Sequence, residues 1–201
     1  MPGTQPANQP AAAPARVRRL RRAERREQLL AAATHAFARA GFAATGLDDI
    51  AAQAGVSRAI LYRHFDSKTD LYRAVLDRAC ARLARTVGTG DYTPGSVDAL
   101  VGAAAADPDG FRLLFRHAAT EPEFRAEIDQ LHRAMVTTTD RELAGVIADR
   151  SWAEWAARLV PAVAVEAVMA WLDTGQPDRA QAAQRIGQAI DGIIRAAQPL
   201  T

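Results

Sequence analysis

The sequence is poor in cysteine, in long apolar runs and in strand-like alternation. Its 201 residues include one cysteine, Cys80, which excludes an internal disulfide and any metal site built from several cysteines. No run approaches the roughly 18 apolar residues of a transmembrane helix, because Glu166 interrupts the best candidate, Leu159 to Leu172. Period-two alternation is almost absent, whereas apolar residues recur at helical spacing from Arg21 onward. The near absence of strand-like alternation, together with the helical spacing, favours an all-α protein.

Sequence signatures of catalysis are missing as well. The only lysine, Lys68, follows Ser67 rather than a glycine, so no phosphate-binding loop is present. Neither Gly-x-Ser-x-Gly nor His-x-x-x-His occurs, and the stretch 88–90 is too short for a dinucleotide fingerprint. We therefore expect no enzyme activity, no catalytic residues, no cofactor and no bound metal.

The N-terminal segment MPGTQPANQPAAAPA is rich in proline and alanine, is uncharged and precedes the first arginines. A secretory signal has the reverse order, with its charges ahead of its apolar core. We therefore expect residues 1–19 to form a disordered arm and the protein to be cytoplasmic, with no membrane partner.

The net charge of +2 conceals an uneven distribution along the chain. From Arg16 to Arg85, fifteen basic side chains stand against seven acidic ones, a net charge of +8. From Thr86 onward, ten arginines stand against sixteen acidic side chains, a net charge of −6. This pattern is typical of a protein that binds a polyanion with one end, although a solvated basic face gives the same count.

The helical periodicity predicts about nine helices. Gly41 and Gly55 end the first two, and Ser57 caps a third that runs to about Arg63. The stretch 67–70 (SKTD) has the pattern of a capping box that opens a fourth helix. Beyond a break rich in glycine at 88–95, we expect helices at about 96–106, 108–118, 122–148, 152–173 and 178–197.

The second and third helices have the spacing of a helix-turn-helix, because only AGVS (54–57) joins them. At 100° per residue, burying Leu61 leaves Ala59 and Arg63 on the opposite face of the third helix. A slim exposed face with a guanidinium fork and small apolar side chains suits the major groove. The predicted base-reading residues are Arg58, Ala59, Ile60 and Arg63.

Hydroxyl, imidazole and amine donors surround that helix, and such groups suit phosphate oxygens. They set the position of a protein on the duplex rather than its base preference. The predicted phosphate contacts are Thr45, Ser57, Tyr62, His64 and Lys68.

Four segments of this region keep a fixed spacing: GFAATGLDDIA at 41–51, AGVS at 54–57, LYRHFDSK at 61–68, and Leu71. Together they resemble the N-terminal domain of TetR-family (tetracycline-repressor-like) transcriptional regulators. The match covers about Arg22 to Leu76, with more than a dozen positions in register. Gly46 departs from the usual residue at its position, which leaves open whether Thr45 caps the helix or contacts phosphate. Ile60 is bulkier than the usual residue, so the family's base preference does not carry over.

The resemblance implies a homodimer whose recognition helices bind successive major grooves of a palindromic DNA operator, about 34–36 Å apart. It also implies a C-terminal helical domain that binds a small, largely apolar molecule and moves the dimer out of register, most often in a repressor. On this basis we expect a helix-turn-helix domain at 20–66, a connecting helix at 67–88 and a ligand-binding and dimerisation domain at 89–201. A DNA-binding architectural protein without a ligand, or a helical enzyme with a DNA-targeting module, are the alternatives.

Seven arginines between Arg16 and Arg26 precede most of the matched region. They form either a frayed, solvated helix start or an arm that reaches phosphates or the minor groove, and we favour the arm. The arginines are Arg16, Arg18, Arg19, Arg21, Arg22, Arg25 and Arg26.

The helix predicted at 152–173 is apolar nearly all round, and the final helix carries recurring apolar residues with two glycines that permit close approach. Either a partner subunit or the rest of one subunit covers these surfaces. We favour a homodimer. Pro161 either kinks the first of these helices or makes 152–158 a separate segment. The predicted interface residues are Val163, Ala167, Trp171, Ile186, Ile190 and Ile193.

Large apolar side chains in the second half are of the types that line a ligand pocket, although such side chains are more often plain core. The predicted pocket residues are Phe111, Phe115, His117, Met135, Thr138, Trp152, Trp155 and Met169.

Overall fold

A computed structural model describes residues 21–88 and 95–199, and all regular structure in these ranges is helical. The predicted all-α class is thereby confirmed. The expected arm at 1–19 and positions 89–94 of the predicted break lie outside the described residues. The α-helices are α1 Arg22–Ala44, α2 Leu47–Gln53, α3 Arg58–Tyr62, α4 Lys68–Val87, α5 Ser96–Ala106, α6 Pro108–Arg112, α7 Arg125–Leu143, α8 Arg150–Asp173 and α9 Arg179–Ala196.

The two glycines predicted to end the first helices both have a positive φ, although α1 resumes after Gly41 and runs to Ala44. Gly41 has a φ of 75° and breaks α1, and Gly55 has a φ of 64° in the turn between α2 and α3. An L side chain is strained in this left-handed region, so glycine suits both positions. Ser67 caps α4, and its hydroxyl accepts from the Asp70 N–H at 3.0 Å. Ser57 stands at the start of α3 but makes no side-chain cap hydrogen bond.

The expected helix at 108–118 is wrong in its second half. α6 ends at Arg112, a π-helical turn covers Leu113–His117 and a 3₁₀ turn covers Ala118–Thr120. Arg116 of the π-helical turn donates to Asp173 of α8 at 2.6 Å, and this hydrogen bond lowers the pKa of that carboxyl.

The bounds of α7 and α8 also differ from prediction. α7 ends at Leu143 instead of running to 148, because Asp149 caps α8 by accepting from the N–H groups of Ser151 and Trp152. α8 continues through Pro161 to Asp173, so 152–158 is not a separate segment.

α8 is long and apolar enough to cross a membrane by length and composition, so the expectation that no run approaches a membrane span is wrong. The helix packs instead as a core element between α7 and α9, and eleven of its side chains are buried. An apolar helix covered by its neighbours satisfies the same length test as a membrane span.

Three clusters of buried apolar side chains hold the helices together. The first, here the DNA-side core, lies among α1 to α4 and continues past α6 into Leu113, Leu114, Ala118, Phe124 and Ile128. The second, here the distal core, lies among α5, Phe111, α8 and α9. A third, small cluster joins the end of α7, the start of α8 and Ala197. The DNA-side core therefore crosses the predicted limit at residue 88.

Four aromatic rings pack together between the helix-turn-helix region and the segment before α7. Tyr72 packs edge-on to Phe37 at a ring-centroid distance of 4.8 Å and lies 4.4 Å from Phe124, which Phe42 contacts at 5.1 Å. The Tyr72 hydroxyl is buried without a hydrogen-bond partner in the described ranges, and burial raises its pKa. Nearby, His35 of α1 pairs with Asp109 of α6 at 2.7 Å.

Candidate DNA-binding surface and effector cavity

The outer face of α3 is open. Leu61 is fully buried (0% exposed) and Phe65 nearly so, and they anchor α3 on the DNA-side core. Ala59 and Arg63 are exposed on the opposite face, and Ile60 is half-buried at its flank. Within the described chain, no hydrogen bond or ion pair involves the Arg63 side chain. Its guanidinium is therefore free to donate to an external acceptor.

Arg58 is also exposed at the start of α3, but its guanidinium is occupied. Its Nη1 donates to Asp48 of α2 at 3.0 Å, and its Nη2 donates to the Tyr62 hydroxyl at 3.1 Å. The Tyr62 hydrogen bond and the Asp48 charge raise the pKa of Arg58. Arg58 would have to leave these partners to contact a base, whereas Arg63 would not.

Three predicted phosphate contacts lie on the surface around α3. Ser57 and Tyr62 are exposed, and His64 is half-buried. Burial, together with the charges of Arg22, Arg26 and Arg25, lowers the pKa of His64, so its imidazole is neutral at pH 7.

The two remaining phosphate candidates have structural partners. Thr45 is buried (4% exposed), and its hydroxyl donates to the Gly41 carbonyl at 2.6 Å. Its hydroxyl is thus turned inward and closes the end of α1, which corrects the prediction for that side chain. Lys68 donates to the Ala43 carbonyl at 3.1 Å and lies 4.6 Å from the Phe42 ring centroid. These contacts explain a lysine at a helix N-terminus, where its charge opposes the helix dipole.

The described part of the arginine run lies beside α3. The Arg26 guanidinium lies over the Phe65 ring, 5.0 Å from its centroid. The charges of Arg22, Arg25 and Arg26 help to lower the pKa of His64. Arg16, Arg18 and Arg19 lie outside the described residues. The start of α1 therefore extends the basic surface around the recognition helix.

A largely apolar cavity of about 300 Å³, here the effector cavity, lies between α4, α5, α7 and α8. None of its described lining residues is charged. Burial raises the pKa of the Cys80 thiol in its wall, so this thiol is not a thiolate at neutral pH. The lining residues are Cys80, Leu83, Ala84, Val87, Gly88, Ser96, Val97, Leu100, Leu131, Ala134, Met135, Thr138, Thr139, Val160, Pro161 and Ala164.

Of the predicted pocket residues, Met135 and Thr138 line this cavity. Phe111 is buried in the distal core and lines a second, smaller cavity between α4, α5 and α6. Met169 is buried in the distal core, and Phe115 packs against both cores. His117 lies near Gly41 at the end of α1. The placements of Phe115, His117 and Met169 correct the prediction, whereas Phe111 does line a cavity, though not this one.

Trp152 and Trp155 are also outside the cavity. They are exposed, at 51% and 39%, and form an edge-to-face pair 5.7 Å apart on the surface of α8. The prediction missed the α4 side of the cavity, although Cys80, Leu83, Ala84 and Val87 form a helical stripe there.

The predicted interface residues fall into two groups. Trp171, Ile186 and Ile190 are buried in the distal core of a single subunit, and Trp171 Nε1 donates to the Pro177 carbonyl at 2.5 Å. Their burial corrects the prediction, because side chains inside one subunit cannot form an interface. Val163, Ala167 and Ile193 are half-buried.

An exposed recognition helix after a tight turn, on an all-helical body with an apolar cavity, defines a helix-turn-helix regulator of transcription. Similarity to known proteins points to the same class. The family model "Bacterial regulatory proteins, tetR family" matches residues 29–75. The HTH-type transcriptional activator FasR of Mycolicibacterium smegmatis is 34% identical over 181 residues, 84% of this chain and 81% of that protein. The chain belongs to the TetR family of transcriptional regulators, which bind DNA and are not enzymes.

A second relative supports this assignment, and a solved structure shows the same fold. The HTH-type transcriptional repressor SCO4008 of Streptomyces coelicolor is 31% identical over 128 residues, 61% of this chain and 67% of that protein. The crystal structure of a TetR-like transcriptional regulator from Rhodococcus sp. RHA1 matches with a TM-score of 0.76 over 86% of this chain and 96% of that one. At 23% sequence identity, this second likeness shows the fold alone.

Proposed function

We propose that the chain is a homodimeric repressor that binds a palindromic operator through α3 and leaves it when a small apolar molecule enters the effector cavity. The observation that carries the DNA-binding part is the open α3 face with a free Arg63 opposite buried Leu61. A guanidinium fork in the major groove recognises guanine through its O6 and N7 acceptors.

The other residues of this surface have different roles in the proposal. Ala59 and Ile60 contact base edges or thymine methyl groups, and Ser57, Tyr62 and His64 bind phosphates. Lys68 places a positive charge near the DNA backbone while it keeps its hydrogen bond to the Ala43 carbonyl. Arg58 reaches a base only after its hydrogen bond to Asp48 is broken.

The proposed dimer uses the outer faces of α8 and α9. On α8, half-buried Val163 and Ala167 are flanked by exposed Ala162 and Ala170. Small apolar residues at this spacing let two helices approach closely. An isologous four-helix contact of this kind would place the two α3 helices on one side of the dimer.

The effector cavity lies between the two large cores, which supports a mechanism for release. Cys80 and Leu131 pack against the DNA-side core, Val160 and Ala164 belong to the distal core, and Leu83 packs against both. A molecule that fills this space changes the separation of the cores. A small rotation of each DNA-binding unit is then enough to spoil the half-site spacing.

The proposed effector is a small molecule with a largely apolar body. The lining carries no charge in the described residues, and its volume is at the small end for ligand pockets. We place the protein in the cytoplasm, where it reaches chromosomal DNA. Repression is the proposed sign of regulation, because it requires only that the dimer occupies the operator.

Selection of bound duplexes from a random pool tests the proposal. We expect a palindrome whose half-site centres lie one helical turn of DNA, about 10–10.5 base pairs, or a multiple of it, apart. The selected operator is then placed upstream of a reporter gene, where expression should fall in the presence of the protein. Enrichment of a single half-site, or no enrichment, would overturn the proposal that a dimer binds a palindromic operator.

A further inference from the structure

A second cavity, here the charged cavity, adjoins the effector cavity at α4. It has a volume of about 190 Å³ and lies between α4, α5 and α6. Leu83 is the one described side chain that lines both cavities. A change of its rotamer is the smallest movement that would join them. The two cavities therefore lie on adjacent faces of α4, with Leu83 between them.

The two cavities differ in charge. The described lining of the effector cavity has none, whereas Arg82 and Asp107 line the charged cavity. Arg82 Nη1 donates to Asp107 Oδ2 at 2.9 Å, and the other Asp107 oxygen accepts from the Gly110 N–H at 3.0 Å. No other hydrogen bond of the Arg82 guanidinium is made to the described residues, so its Nε and Nη2 groups keep donors for a ligand.

The surroundings of Arg82 favour an anion. Arg82 also borders an open cleft between α1 and α4 that contains three more arginines, Arg26, Arg78 and Arg85, with Glu27 and Asp77. Four guanidinium groups against these two carboxylates and Asp107 leave a positive balance. A carboxylate entering from the effector cavity would meet a hydrogen-bonding cation in a positive field.

We infer that the effector is an amphipathic acid, with an apolar body in the effector cavity and an anionic group at Arg82 in the charged cavity. The inference rests on the proposed function and adds the chemical class of the effector. Leu83 then contacts the ligand where its apolar and charged parts meet. The anionic group lies next to Asp107, which caps α6, the helix that pairs with α1 through Asp109 and His35.

The test uses the full-length protein, its selected operator and two series of probes, the C8 to C14 straight-chain carboxylic acids and the primary alcohols of equal length. Fluorescence anisotropy of labelled operator measures release, and calorimetry without DNA measures binding. We expect the best acid to bind at least about tenfold more tightly than its alcohol, as for a hydrogen bond between charged groups. Arg82→Gln should remove this preference and leave alcohol binding unchanged.

Two control variants separate a direct contact from a structural effect. Arg82→Lys keeps the positive charge and should retain most of the preference for acids. Arg133→Gln removes a charge from the exposed surface of α7, at a side chain that lines neither cavity nor the open cleft, and should retain the preference fully. Thermal melting of each variant reports any loss of folding.

The outcomes separate this inference from the proposed function. Equal binding of acids and alcohols by the native chain, or an unchanged preference in Arg82→Gln, overturns the inference and leaves the effector cavity in place. Binding of acids without release of operator supports the inference and contradicts ligand-controlled release. Binding of neither series overturns both.

Discussion

At the residue scale, Arg63 is the side chain on which base recognition depends in our proposal. Arg63→Ala should weaken binding to the selected operator by about 1–3 kcal/mol and should change binding to random duplex little. Competition measurements with both duplexes give the ratio of operator affinity to random-duplex affinity. Arg133→Ala, which removes the same charge from the exposed surface of α7, should leave that ratio unchanged. Equal losses on both duplexes for Arg63→Ala would contradict a base-reading role.

Lys68 should behave differently, because its proposed contribution is a charge near the backbone. Lys68→Ala should weaken binding to both duplexes alike and reduce the slope of log affinity against log salt by about 0.9, the value for one phosphate contact. It should also lower stability slightly, since Lys68 holds the Ala43 carbonyl. An unchanged slope with lowered stability would make Lys68 a structural residue only.

His64 gives the proposal a pH dependence. Burial and the nearby arginines lower its pKa in the free protein, and a bound phosphate would raise it again. DNA binding then takes up a proton, so operator affinity should rise as the pH falls below 7, by at most about tenfold per unit of pKa difference between the two states. His64→Gln should show a weaker dependence in the same titration. A pH profile identical to that of the native chain would remove His64 from the phosphate contacts.

At the element scale, the turn between α2 and α3 sets the position of the recognition helix. Gly55→Ala should cost about 1–2 kcal/mol in the free energy of unfolding, because φ is 64° while no described atom lies near the added methyl group. Chemical denaturation measures the loss. Gly145→Ala is the control, since that glycine has neither a positive φ nor a close neighbour and should change stability little.

The elements that the sequence predicted well are those set by local chemistry. Gly41, Gly55 and the cap at Ser67 follow from backbone freedom and short-range hydrogen bonds, and the open side of α3 follows from the period of the helix. The π-helical turn after α6 was missed, because the apolar pattern continues through Leu113–His117 and does not mark the change of winding.

The cavity walls were harder to predict for a related reason. Trp152 and Trp155 have the composition of a pocket, yet their exposure depends on which helices lie beside α8. Trp171 has the same chemistry and is buried, because the segment before α9 folds back and accepts from its indole. Helical period alone does not distinguish a residue that faces a cavity from one that faces solvent or another helix.

At the scale of the whole molecule, operator binding should depend on dimerisation. The chain should sediment at twice its mass of 21.6 kDa. Ala167→Arg places a charge on the outer face of α8 and should give monomers that bind the operator at least about a hundredfold more weakly, because the second half-site is no longer held nearby. Ala126→Arg, on the exposed surface of α7, is the matched control and should remain dimeric. A monomeric native chain that binds its operator normally would contradict this model.

The DNA-side core has a practical consequence for building hybrid regulators. Because Leu113, Leu114 and Phe124 complete the core of the DNA-binding helices, a fragment that stops at residue 88 would expose a large apolar surface. A chimera that transplants this operator specificity onto another sensor body therefore needs residues 113–128 as well. Such a graft should express as a soluble protein, whereas one cut at residue 88 should aggregate.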